Sequence, residues 1–335
     1  MTDKILLSHG SGGKQAHDLI TQIFITSFGN SYLNKLEDSA ILFENGASLA
    51  FTTDGYVVKP RFFPGGDVGK LAVCGTVNDL SVAGAIPEFI SCGFIIEEGF
   101  PVEDLQKIVT SMRKASEISG VKIVTGDTKV VENGAADGIF ITTAGIGRIA
   151  MSPRPSIDRI ETGDVIIING DIGDHGISVM AEREGLKFNV PVVSDCAPLS
   201  GLIRDVHVFA GDIRFMRDPT RGGLATVLNE ISSSAEVGIE IYEDDIPVSD
   251  GVQGMCELLG LDPLYVANEG KVVMIASEKS APEILKKMRA NEYGAGSRVI
   301  GRITAEHPGK VSMKTPYGGS RIIDMLTGDQ LPRIC

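Results

Sequence analysis

A chain of 335 residues is too long for one ordinary hydrophobic core, so two domains are expected. Its 31 basic and 44 acidic residues give a net charge of −13 with no Lys/Arg-rich stretch, which argues against nucleic acid or an anionic membrane as partner. Hydrophobic residues at 43% and charged residues at 22% match a soluble globular protein, no apolar run reaches membrane-spanning length, and MTDKILLSHG lacks the apolar core of a secretion signal; a cytoplasmic protein is expected.

The first feature along the chain is His9-Gly10-Ser11-Gly12-Gly13-Lys14, a glycine-rich loop ahead of a predicted helix over 15–24. Strands are predicted over 49–54, 90–96, 122–125 and 139–147, with helices over 69–83 and 102–119. The stretch 151–158, MSPRPSID, has two prolines and no periodicity, and is read as the domain boundary. Beyond it, strands are predicted over 164–169, 238–242 and 271–276, and helices over 176–183, 222–233, 252–259 and 281–289. Neither half alternates strictly as βαβ, so the expected fold class is α+β: an N-terminal domain over 1–150, a C-terminal α+β domain over 159–315 and a mobile tail over 316–335. That tail ends on Cys335, whereas Cys74, Cys92, Cys196 and Cys256 sit in or beside apolar segments and read as small buried hydrophobes. No CxxC occurs, which argues against a zinc site.

Three aspartates fall at strand ends, turns or beside Asn: Asp54 closing LAFTTD, Asp79 behind Asn78, and Asp127 in VTGDTK. Such acids are caps or solvated turns, or else ligands for a hard cation, and magnesium takes carboxylates together with phosphate oxygens. A metal-bridged phosphate would also suit an acidic protein. The glycine loop can offer backbone N–H groups to an anion, or be a plain turn. Gly65-Gly66-Asp67-Val68-Gly69-Lys70 misses the P-loop spacing. In the second half stand Gly173-Asp174-His175-Gly176, Arg217-Asp218-Pro219-Thr220-Arg221-Gly222-Gly223 and Asn268-Glu269-Gly270-Lys271. Arg221 before the glycines suits an anion contact, or Asp218 and Thr220 cap a helix; His175 is a base or a turn residue.

Together, HGSGGK, FTTDGYVV, FFPGGDVGKLAVCGTVNDLSVAGAIP, TGDTKVV, GDHG, RDPTRGG, ANEGK and terminal PRIC resemble the hydrogenase maturation carbamoyl dehydratase family over nearly the full chain. That family belongs to the ATP-using superfamily of aminoimidazole ribonucleotide synthetase, selenophosphate synthetase and thiamine-monophosphate kinase. PRIC is the specific mark; the acid and glycine motifs are shared across the superfamily. The resemblance implies that a carbamoyltransferase loads Cys335 with a carbamoyl group. ATP and Mg2+ then drive dehydration to an S-cyanide, which passes to an iron-carrying hydrogenase maturation scaffold complex. It further implies Asp54, Asp79 and Asp127 as magnesium ligands. Gly10, Ser11, Gly12, Gly13, Lys14, Asn78, Thr128 and Asp218 would contact ATP, and Cys335, Glu269, Lys129 and His175 would act in the chemistry. A homodimer paired through the N-terminal domains is implied as well.

Two rivals remain at this stage. A selenophosphate synthetase-like enzyme carries its reactive Cys or selenocysteine in the glycine-rich segment, where this chain has none. A nucleotide-sensing scaffold would offer Cys335 to a metal or partner without ATP turnover.

Overall fold

The computed structural model describes residues 4–44, 47–186 and 192–326; residues 327–335, with Cys335, lie outside it. The first half contains β1 (Ala40–Glu44), β2 (Ala47–Tyr56), β3 (Phe62–Phe63), β4 (Gly66–Asp67), β5 (Ala85–Glu97), β6 (Lys122–Val131) and β7 (Ile139–Ile149). Apart from the β3–β4 pair, these strands form one sheet in the order β1-β2-β7-β5-β6, parallel only between β5 and β6. In β7 burial alternates residue by residue, as one-sided packing demands. The buried face lies on the helices Val68–Val82 and Val102–Ser119.

The Val68–Val82 helix is buried around nearly its whole circumference, its apolar residues packed on several sides and its Thr76, Asn78 and Ser81 buried among them. Asp67 caps it, accepting from Gly69 N at 2.7 Å and Lys70 N at 3.0 Å. The Gly65–Lys70 glycine cluster is therefore a helix start with its leading amides already satisfied.

The second half adds β8 (Val165–Ile168), β9 (Ile213–Arg217), β10 (Gly238–Tyr242), β11 (Val273–Ala276), β12 (Arg298–Thr304), β13 (Val311–Lys314) and β14 (Ser320–Ile323). They make a seven-stranded sheet in the order β14-β13-β10-β12-β8-β11-β9. The unbroken apolar runs VIII and VMIA are strands buried on both faces. Ile166 and Ile168 face the core under the Gly223–Ser234 helix, while Val165 and Ile167 face the core under Ser200–Val206 and Ala281–Arg289. Both halves mix strands and helices as expected.

Two expectations shift. Ser320–Ile323 falls in the stretch expected as tail, yet it pairs antiparallel with β13 and buries Ile323; its short run of apolar residues carries too little period to stand out. At the 151–158 boundary, Met151 packs with Val82 in the core of the second half. The helix expected over 15–24 begins at Lys14 and continues through a π-helical segment, Ile20–Ile25, into Thr26–Phe28. The four described cysteines are buried, as expected. No helix among the described residues is long and apolar enough to cross a membrane.

Removing the Asp67 cap should loosen the helix that carries Asp79. Asp67→Ala is expected to lower unfolding stability by about 0.5–2 kcal/mol, read from the denaturant midpoint at unchanged slope.

Candidate active site

A cavity of about 490 Å³ opens where the two halves meet. Strand β2 presents Thr52, Asp54 and Tyr56 to it, every second residue and hence on one face. Tyr56 OH donates to Asp54 Oδ2 at 3.1 Å, and Thr52 Oγ1 donates to Asp79 Oδ2 at 2.8 Å. Both carboxylates face the cavity, and Asp54 is raised above the ordinary carboxylate range, by burial first. Asp38 enters from the segment before β1, and β9 delivers Arg217 and Asp218 at its end. Arg217 bridges Asp38 at 3.2 Å and Glu230 at 3.3 Å.

The electrostatics of this group are lopsided, with several carboxylates around the guanidinium groups of Arg217 and Arg221. Burial, and then the charges of Asp218, Asp54 and Asp38, push Asp79 well above the ordinary carboxylate range. Asp218 is pushed up to about 8 by burial and then by Asp38 and Asp54. Glu269 is also raised well above its usual value, by burial first and by Asp218 and Asp195 next. Burial opposes the charge of Arg217, yet the surrounding carboxylates keep it protonated.

The sequence-predicted residues separate into two groups. Asp54, Asp79, Asp218, Glu269, His175 and Gly12 all line the cavity. His175 is buried with Nδ1 at 2.9 Å from Ser194 Oγ and its ring edge-on to Phe63. Burial lowers it to about 4, so the imidazole is neutral near pH 7. Gly12 has φ +80°, and a Cβ there would come within 2.6 Å of Arg221 Cβ; the loop closes directly on the second half. Gly10, Ser11, Gly13 and Lys14 stand beside Gly12 without lining the cavity. The amides of Ser11 and Lys14 are engaged by the carbonyls of Ser8 and Leu326, so the loop presents fewer free N–H groups than its glycines suggest.

Asp127, Thr128 and Lys129 do not line the cavity. They sit on β6, three strands from β2 and so about 14 Å away across the sheet. Asp127 pairs with Lys129 at 2.9 Å, and both side chains are mostly exposed. The expected trio of metal ligands is thus two within one chain, since a strand end in the sequence does not reveal which edge of a sheet it occupies. Asn78 is corrected too. Its amide donates to the carbonyls of Ala197 at 3.1 Å and Glu269 at 3.2 Å and accepts from Leu199 N at 2.8 Å, so it joins the two halves and has no N–H left for a nucleotide. Cys335 lies outside the described residues.

Asp38, Tyr56, Arg217 and Glu230 were not among the expected site residues. The alternation of β2 is the signal that reaches Tyr56 from Asp54. Asp38 follows no motif, and Arg217 stands on a strand the periodicity did not reveal.

The donors fit a hard divalent cation. Asp54 and Asp79 lie side by side in an excess of negative charge, all through oxygen. No three acidic, His or Cys side chains among the described residues form a ready-made cage. Magnesium takes one or two carboxylates and completes its shell with water and substrate phosphates.

Family models described as AIR synthase related protein, N-terminal domain and C-terminal domain, match residues 36–149 and 161–314. The carbamoyl dehydratase HypE of Rhodobacter capsulatus is 51% identical over 336 residues, spanning 99% of this chain and 98% of that protein. Of solved structures, a HypE–HypF complex matches with a TM-score of 0.88 at 51% identity, over 92% of this chain and 99% of that one. HypE in complex with ATP matches with a TM-score of 0.83 at 47% identity, over 99% and 100%.

The raised Asp218 has a consequence for the ligand-free protein. Between its unfolded pKa of about 3.9 and its folded value of about 8, the folded state retains a proton that the unfolded state has lost. Its contribution to stability is therefore greatest at low pH and disappears as pH rises through that window. Asp218→Asn should flatten the fall in denaturant midpoint between about pH 5 and about pH 8.

Proposed function

The chain belongs to the HypE carbamoyl dehydratase family within the AIR synthase related proteins, and on that premise we propose that it dehydrates a carbamoyl group on its own Cys335 at the expense of ATP. The product is an S-cyanide, which supplies the cyanide ligand of [NiFe]-hydrogenase iron. The relative solved with ATP supports nucleotide binding, which we assign to the interdomain cavity, and the relative solved with HypF supports a carbamoyltransferase partner, to which we assign the loading of the cysteine. An iron-carrying hydrogenase maturation scaffold complex would receive the cyanide.

One observation carries the reading. Lys14 N donates to Leu326 O at 2.9 Å, which anchors the last described residue on the glycine loop beside the cavity. Cys335 is the ninth residue after Leu326. At about 3.3 Å per residue this stretch reaches up to roughly 30 Å, enough to bring the thiol and its cargo inside.

The chemistry explains the use of ATP. A carboxamide oxygen expelled as hydroxide leaves as the base of an acid of pKa about 15.7. Expelled as phosphate, the relevant pKa is about 6. That difference of roughly ten units bounds the gain at ~13 kcal/mol, of which the barrier realises a fraction. The carboxamide oxygen takes the γ-phosphoryl group, ADP leaves, the nitrogen gives up two protons, and phosphate departs as the C≡N bond forms.

Asp54 and Asp79 would hold magnesium, which neutralises the phosphate charge. Glu269, poised above the ordinary carboxylate range, is the base for the nitrogen. His175 stays neutral and orients the wall it stands on.

A second copy of the chain completes this site. Strand β6 is an edge with its side chains exposed on both faces over nearly its full length. Phe51, Ile146 and Phe89 align across β2, β7 and β5 as an exposed apolar row. An uncovered apolar sheet with a long open edge calls for a partner. A homodimer through this face would carry Asp127, Thr128 and Lys129 toward the other subunit's phosphates, where Lys129 stabilises the transferring phosphoryl group.

Incubated with MgATP, the carbamoylated protein should lose the mass of one water, with ATP consumed in proportion. Cys335→Ala should keep nucleotide binding and yield no cyanide. An unchanged adduct with ATP intact removes the proposal. A small-molecule kinase would be indifferent to Cys335, which distinguishes the selenophosphate synthetase-like rival. Val124→Glu combined with Val130→Glu should give a monomer by light scattering and slow water loss by about tenfold or more.

A further inference from the structure

The stretch 192–199 crosses between the halves, and none of the roles above falls on it. Its central residue, Asp195, has a side chain only 3% exposed. The carboxylate makes three contacts: Oδ1 accepts from Glu269 N at 3.2 Å, Oδ2 accepts from Gly270 N at 3.2 Å, and Oδ2 pairs with Lys271 Nζ at 3.1 Å.

The same backbone is gripped from the other side. Asn78 donates to Glu269 O at 3.2 Å, and Asn169 donates to Gly270 O at 3.0 Å while accepting from Val272 N at 2.8 Å. The amide and the carbonyl of Glu269 are therefore both held by buried side chains. A Cβ on Gly270 would collide with the carbonyl of Asp195, so the two segments are in backbone contact.

A buried carboxylate is costly unless it is paired and hydrogen-bonded. Here the whole compensation comes from one lysine and the two amides, and it is spent on fixing a single residue. That residue is the proposed base. A general base must lie within hydrogen-bond reach of its proton, and misplacement by about 1 Å can cost about a hundredfold in rate.

We propose that Asp195, charge-compensated by Lys271, is a positioning residue that sets the Glu269 carboxylate against the carbamoyl nitrogen; this rests on the dehydration reading above. Asp195 does not line the cavity. Its influence passes through the Glu269 and Gly270 amides.

The test uses the full-length protein carbamoylated at Cys335. It measures the first-order rate of water loss by intact mass, the half-saturating ATP concentration and the melting temperature. Asp195→Asn keeps the shape and one acceptor but leaves Lys271 unpaired. It should slow water loss by about tenfold or more while half-saturating ATP stays within about twofold. Asp195→Asn with Lys271→Met removes the stranded ammonium and should recover part of the rate. Should the single variant not accumulate as folded protein, the double variant supplies the same comparison without an unpaired buried charge.

A variant with the wild-type rate overturns the inference. So does one whose half-saturating ATP rises in proportion to the lost rate, because the clamp would then serve the nucleotide site. If the wild-type protein itself loses no water, the dehydration reading fails and this inference fails with it; a normal wild type beside an unaffected variant overturns this inference alone.

Discussion

Like charges crowded into one cavity are the constraint on which the rest of the molecule turns. Asp38, Asp54, Asp79, Asp218 and Glu269 come from both halves of the chain and face a common space. Left to themselves they would repel and open the interface, because charge in a partly desolvated site is expensive. The fold answers with Arg217 bridging Asp38 and Glu230. What remains is an excess of negative charge that a divalent cation with its nucleotide would relieve.

That strain needs a rigid frame. The Val68–Val82 helix, which bears Asp79, is walled in on nearly every side, and Val82 at its end packs into the core of the second half. In return, Val179 and Cys196 from the second half join the core of the first. The two domains therefore share apolar residues across their junction. Each fully buried side chain of this kind contributes about 1.5–3 kcal/mol, enough for a handful to hold a repulsive site closed.

Legibility in the sequence followed the physics of pattern. Long one-sided strands such as β7, and β8 and β11 buried on both faces, stood out by period or by unbroken apolarity. So did the acids at the end of β2 and in the Asp79 helix, because each sits beside residues that mark turns or helix content. Short strands at the margin, β13 and β14, offered four residues each and too little signal. The larger loss was spatial. Nothing in VTGDTK shows that β6 occupies the outer edge, and nothing in the Asn78-Asp79 pair shows that the first residue faces backbone while the second faces the cavity. A helix turns by about 100° per residue, so neighbours in sequence point to different surroundings, and motif spacing cannot assign both to one ligand.

The same distribution of burial says where the cavity can admit its cargo. A hinge between the halves would have to part a shared core, and Met151, at the domain boundary, is buried in it. The glycine loop and the helix that follows it differ in kind. Between Leu7 and Phe28 the helical segments bury only Ala16, and Ile20, Ile23, Phe24 and Phe28 remain exposed. Local opening costs least where few apolar contacts are broken. The wall that carries His9 and Gly12 is therefore the one able to move while the acids stay fixed, and it is the wall to which Leu326 is tied. Movement of that wall would displace the anchor of Leu326, so under the function proposed above admission of the cargo and displacement of the loop would be one event.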